Sequence, residues 1–166
     1  MSERPRPDLA ALASRVLDSC RARGLKVATV ESCTGGLVAA TMTEIAGSSD
    51  VVERGFVTYS DAAKTDLAGV ASALIAAYGA VSEEVARAMA EGGVARSMAD
   101  IGVAITGIAG PGGATPTKPV GLVHLACARR GRPTKHERHI FAGDRRAVRE
   151  ASVEAALHLI LAAAGE

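Results

Sequence analysis

Glu31-Ser32-Cys33-Thr34-Gly35-Gly36 sets two side chains capable of nucleophilic attack, Ser32 and Cys33, beside a pair of glycines. Glycines let the backbone approach a ligand closely, and a helix that follows such a turn offers unpaired N–H groups and a positive dipole end. Those donors suit a phosphate, or an oxyanion forming at an attacked carbonyl. The same residues also describe a tight turn with an N-cap at Thr34, since short Gly-Gly turns are common. A second segment, Tyr59-Ser60-Asp61-Ala62-Ala63-Lys64, places a lysine in the first turn of a helix-prone stretch. A cation opposes the helix dipole there, and a desolvated one sheds its proton readily and can act as a general base. A solvated surface lysine is the plainer alternative, because lysines are rarely buried. Tyr59 adds a hydroxyl or a ring. The third segment is Thr106-Gly107-Ile108-Ala109-Gly110-Pro111-Gly112-Gly113. It lacks the ending of a P-loop and leads into a strand, so neither that motif nor the dinucleotide fingerprint fits. It reads as a loop of exposed amides.

These loops need elements to hold them. Apolar spacing predicts helices over Leu9–Arg23, Leu37–Ile45, Asp61–Leu67, Ala71–Ala77, Glu83–Met98 and Asp144–Ala164. Strands are expected at Lys26–Val30, Gly55–Tyr59, Ile101–Thr106, Val120–Ala128 and Lys135–Phe141. Alternating strands and helices predict a three-layer α/β/α fold around a mostly buried sheet. Only a short turn around Gly131 joins the last two strands, which must then run antiparallel, so the sheet is mixed. In such sheets ligand sites gather where strands end in loops that lead to helices.

A length of 166 residues predicts one domain, residues 1–166, with residues 1–8 as a flexible N-terminus. The 48% of apolar residues describe a globular chain, but two Phe, two Tyr and no Trp leave its core to aliphatic side chains. Bases could not stack along it, and 19 basic against 18 acidic residues make no surface for nucleic acid or membrane. The cluster Arg129-Arg130-Gly131-Arg132 with Lys135 decorates a turn. Cys20, Cys33 and Cys127, with His124, His136, His139 and His158, show no metal-ligand spacing, so no metal is expected. Met1–Leu9 is polar and no apolar run reaches 18 residues, which points to the cytoplasm.

Several segments together resemble a known family. Besides the three above they are Ala46-Gly47-Ser48-Ser49, Gly55-Phe56-Val57-Thr58-Tyr59-Ser60, Tyr78-Gly79-Ala80-Val81-Ser82, Lys118-Pro119-Val120-Gly121 and Phe141-Ala142-Gly143-Asp144-Arg145. Their order, from about Leu12 to Leu161, is similar to the C-terminal domain of the competence/damage-inducible protein CinA. The stand-alone form of that family is the nicotinamide-nucleotide amidohydrolase PncC. The resemblance implies hydrolysis of nicotinamide mononucleotide to nicotinic acid mononucleotide and ammonia, in pyridine nucleotide salvage, with no cofactor. Longer members carry an N-terminal domain associated with ADP-ribose pyrophosphatase activity, which is expected to be absent from this chain.

The resemblance implies roles as well. Ser32 attacks the carboxamide, neutral Lys64 takes its proton, and Tyr59 with Ser48 or Ser49 completes a hydroxyl network. Thr34, Gly35 and Gly36 offer amides to the oxyanion. Thr106, Gly107, Gly110 and Arg145 hold the ribose phosphate. Ser48 and Cys33 stand as alternative nucleophiles. A non-catalytic pyridine-nucleotide-binding module is the alternative function, and the Ala-rich helix faces leave room for a homo-oligomer.

Overall fold

The computed structural model describes residues 8–166. The N-terminal stretch expected to be flexible lies outside them apart from Asp8, whose carboxylate accepts the Ala11 N–H at 3.0 Å and caps the first helix. Along the chain come α1 (Leu9–Ala22), β1 (Val27–Glu31), α2 (Leu37–Thr43), a 3₁₀ turn at Ser48–Asp50 and β2 (Val52–Val57). Then follow α3 (Asp61–Ala68), α4 (Ser72–Tyr78), α5 (Glu83–Ala95), β3 (Ile101–Gly107), β4 (Leu122–Arg129), β5 (Lys135–Ile140) and α6 (Arg145–Ala164).

The strands form one sheet in the order β2-β1-β3-β4-β5, with β2, β1 and β3 parallel and β4 antiparallel to both its neighbours, β3 and β5. Successive side chains of a strand leave opposite faces, and the sequence uses this to build two cores. Val103 and Ile105 of β3 join Val123, Leu125 and Cys127 of β4 under α1, α2 and α6. Ala104, Ala126 and Ala128 face the other way, beneath α4 and α5. The result is the expected three-layer α/β/α arrangement with a mixed sheet.

Small residues on the α5 face let that helix press close. A Cβ on Gly102 would stand 2.6 Å from the Ala90 carbonyl oxygen, and one on Gly93 would stand 2.5 Å from Val30 Cγ2. At Gly92 a Cβ would overlap the carbonyl oxygen of Ala68, the last residue of α3. Gly92→Ala is therefore expected to destabilise the fold by about 1–3 kcal/mol, the usual range for overpacking, when urea unfolding is followed by circular dichroism. A midpoint equal to that of the wild type would mean α3 moves aside freely.

Element boundaries shift where the site intervenes. The second strand was expected over Gly55–Tyr59 but runs Val52–Val57, because the Thr58 and Tyr59 carbonyls turn out of the ladder to accept from Lys64. Thr34 does not cap α2. Gly36 occupies that position at φ 105°, and the buried Glu31 carboxylate accepts the Val38 and Ala39 amides at 2.8 and 3.1 Å.

The connections out of β1 and out of β2 matter most for function. From β1 the chain passes through α2, on one face, to β2. From β2 it passes through α3, α4 and α5, on the other face, to β3. Because β1 and β2 are parallel neighbours, the loops leaving their C-terminal ends part toward opposite faces, and β3 flanks the gap on the other side of β1. That divergence opens a crevice, the usual ligand position in open α/β sheets.

Candidate active site

Ser32 is the first residue beyond β1, and its N–H still reaches the Ile105 carbonyl of β3 at 2.9 Å. The side chain therefore sits at the tip of an interior strand, on the crevice. Lys64 arrives from the opposite face. Ser60 caps α3 by accepting the Ala63 N–H at 3.0 Å, which starts that helix directly after the β2 end and aims Lys64 inward one turn later. Its Nζ donates to Ser32 Oγ at 3.0 Å, to the Thr58 carbonyl at 2.8 Å and to the Tyr59 carbonyl at 3.4 Å. Lys64 is 1% exposed and no carboxylate pairs with it among the described residues. Burial pushes its ammonium below the usual lysine range, against the pull of the nearby Asp61 carboxylate.

Cys33 lies beside Ser32, but burial raises its thiol to about 11. Near neutral pH it holds its proton and is a poor nucleophile.

These groups open on a cleft of about 220 Å³, whose floor and walls include Ser32, Tyr59, Lys64, Thr106, Gly107 and Arg145. Its volume lies below the roughly 300–1,000 Å³ of sites that enclose a drug-sized molecule, so it suits a small ring while the remainder of a ligand lies at the mouth. Ala80, Val81 and Ala109 give one side an apolar lining. Thr106 is buried and spends its hydroxyl on the Ala80 carbonyl at 2.8 Å, fixing that wall. Arg145, in the first turn of α6, donates Nη1 to the Gly110 carbonyl at 2.9 Å and Nη2 to Tyr59 Oη at 3.3 Å. Gly110 thus joins the site through its carbonyl. Tyr59 is 62% exposed and its ring stands at the rim.

Two groups of expected site residues lie elsewhere. Ser48 and Ser49 sit in the 3₁₀ turn before β2, where Val51 accepts the Val27 N–H at 2.8 Å. Val27 begins β1 and Ser32 follows its end, so the length of the strand, on the order of 15 Å, separates them. Helix α2 carries the chain back across the sheet and delivers these serines to its opposite end. That geometry removes Ser48 as a partner of Lys64. Thr34, Gly35 and Gly36 do not line the cleft. Thr34 is fully buried, the Gly35 N–H is taken by the Ser32 carbonyl at 3.0 Å, and Gly36 begins α2.

Sequence reasoning passed over Asp61, which lines the cleft, and Arg149, whose guanidinium reaches the back of the Ser32 turn. Arg149 lies four residues beyond Arg145 and so shares its helix face, a spacing that could have flagged it. Among the described residues no three His, Cys, Asp or Glu side chains gather as a metal site, and no helix is long and apolar enough to cross a membrane.

The profile of the CinA C-terminal domain matches residues 9–164. The chain is 50% identical over 151 residues to a CinA-like protein of Akkermansia muciniphila, covering 91% of this chain and 36% of that protein. It is 53% identical over 137 residues to one of Mycolicibacterium vanbaalenii, covering 82% and 32%. It thus spans about a third of the length of these curated relatives. Among solved structures, the competence/damage inducible protein CihA from Agrobacterium tumefaciens superposes with a TM-score of 0.93 at 48% identity, over 98% of this chain and 99% of that one. A competence-damaged protein (CinA) superfamily protein from Escherichia coli superposes at 0.90 and 34% identity, over 97% and 93%.

Proposed function

This chain belongs to the CinA C-terminal domain family, and we propose that its cleft hydrolyses the carboxamide of nicotinamide mononucleotide to give nicotinic acid mononucleotide and ammonia. One observation carries the reading: the buried 3.0 Å contact between Lys64 Nζ and Ser32 Oγ. A serine hydroxyl attacks poorly unless a base removes its proton, and a lysine can serve once desolvation keeps its amine neutral. The neutral amine has two N–H bonds, which the Thr58 and Tyr59 carbonyls accept. Its lone pair then faces Ser32 Oγ–H.

In this mechanism Ser32 Oγ adds to the amide carbon while its proton passes to Lys64 Nζ. The tetrahedral oxyanion takes the Cys33 N–H, which adjoins the nucleophile and meets no backbone acceptor among the described residues. Collapse breaks the C–N bond as the ammonium of Lys64 gives its proton to the departing NH2 group, which leaves as ammonia. Water, deprotonated by the same amine, then adds to the ester, and the proton it gave Lys64 passes to Ser32 Oγ as that oxygen leaves, which regenerates the free serine and the neutral amine. The apolar wall of Ala80, Val81 and Ala109 packs the pyridine ring. Arg145, at the start of α6, receives the phosphate in place of Gly110 and Tyr59.

Incubation with nicotinamide mononucleotide, nicotinamide riboside and nicotinamide, followed by ammonia detection, tests the reading. Turnover of the first alone is expected. Binding of the mononucleotide by calorimetry with no ammonia released would favour a non-catalytic module. Arg145→Met is expected to raise KM about 10- to 100-fold and leave kcat nearly unchanged, in keeping with loss of a charge-assisted contact to a ligand anion. A fall in kcat at constant KM would place Arg145 in the chemical step instead.

A further inference from the structure

Arg149 cross-links α6 to the turn that carries the nucleophile. Its Nε donates to the Cys33 carbonyl at 3.2 Å and its Nη2 to the Thr34 carbonyl at 3.1 Å. No carboxylate pairs with it among the described residues, so both backbone contacts keep the full strength of a charged donor. The guanidinium is a rigid planar fork, and two carbonyls held by one fork cannot rotate independently.

The turn needs such a restraint. Gly35 and Gly36 adopt φ values of 58° and 105°, where glycine has little torsional preference to hold one conformation. In a trans peptide the C=O and the next N–H point in opposite directions. Drawing the Cys33 carbonyl toward α6 therefore turns the Thr34 N–H away from that helix. Drawing the Thr34 carbonyl there likewise turns away the Gly35 N–H, which meets the Ser32 carbonyl at 3.0 Å. The Cys33–Thr34 and Thr34–Gly35 peptide planes are thereby fixed, and the second, through the Gly35 N–H on the Ser32 carbonyl, holds the direction of Ser32 Oγ relative to Lys64 Nζ. The buried Glu31 carboxylate holds the far end of the turn through the Val38 and Ala39 amides.

We propose that Arg149 is a positioning residue: it acts on the reaction only by clamping the Cys33–Thr34 carbonyls, which sets the nucleophile against its base. The proposal rests on the amidohydrolase reading for its kinetic test. Arg149→Met removes both bonds and keeps the aliphatic stem. Its kcat on nicotinamide mononucleotide is expected to fall about 100-fold, the scale of an ångström-sized misplacement, with KM within about threefold of wild type. Arg149→Lys restores a cation but not the fork and is expected to fall between, about tenfold below wild type. Unchanged kcat in both variants overturns the proposal, as does a rise in KM with kcat intact, which would mean direct contact with substrate. Should Arg149→Met fail to fold, the lysine variant decides on the same terms. If the wild-type protein releases no ammonia, the amidohydrolase reading fails, and crystal structures of wild type and the folded variant decide the inference alone. A displaced Cys33–Thr34 turn with the Ser32–Lys64 contact broken supports it, and a superposable turn overturns it.

Discussion

Replacing Ser32 by alanine is expected to lower ammonia release from nicotinamide mononucleotide about 10⁴-fold, with the mononucleotide still bound. The size follows from what is lost. Alanine removes the hydroxyl that Lys64 Nζ meets inside the cleft, while the Arg145 anchor and the apolar wall remain. The fold should tolerate the change, because Ser32 is held by its backbone N–H on Ile105 and not by its side chain. Ser48→Ala and Cys33→Ala serve as internal controls. Ser48 lies at the far end of β1, and the Cys33 thiol is protonated near neutrality, so both variants should keep most of the turnover. Loss of turnover in Cys33→Ala with retention in Ser32→Ala would reassign the nucleophile.

Lys64→Arg should cost about 10³-fold in kcat while KM changes little, within the 10²–10⁴ range attributed to a general base. Arginine keeps a positive charge at the site but cannot release it near neutral pH. The pH dependence gives the sign independently. In the proposed mechanism the neutral amine is the active form, so kcat/KM in the wild type is expected to rise with pH through the ionisation of Lys64. Burial shifts that rise to lower pH than an exposed lysine would show. In Lys64→Arg this limb should vanish. Near-normal turnover in that variant would make Lys64 a substrate-positioning cation and would sink its role as base.

The architecture was largely legible because its signals are local. The Gly131 turn required β4 and β5 to run antiparallel, and strand–helix alternation required three layers. The site was legible in part. Ser32 and Lys64 announced themselves by chemistry, one beside two glycines and one as a cation in a first helical turn. That they meet is a matter of topology, since β2 lies beside β1 and α3, starting at the end of β2, aims Lys64 at the residue that follows β1. Ser48 and Ser49 were misplaced for the same reason: short α2 reverses the chain and carries them to the opposite end of the strands. Thr34 looked like the cap of α2, but the cap falls two residues later at Gly36, and a carboxylate already buried on β1 takes the Val38 and Ala39 amides with its two oxygens. Arg149 stayed hidden because its partners are backbone carbonyls, and carbonyls are alike in every residue.

The central claim is that this cleft breaks a carboxamide C–N bond. Its most direct test is to mix the purified protein with nicotinamide mononucleotide at pH 8 and measure ammonia and nicotinic acid mononucleotide together. Equimolar appearance of both, abolished in Ser32→Ala, is the predicted result. Calorimetric binding of the mononucleotide by the wild-type protein with neither product formed would contradict it.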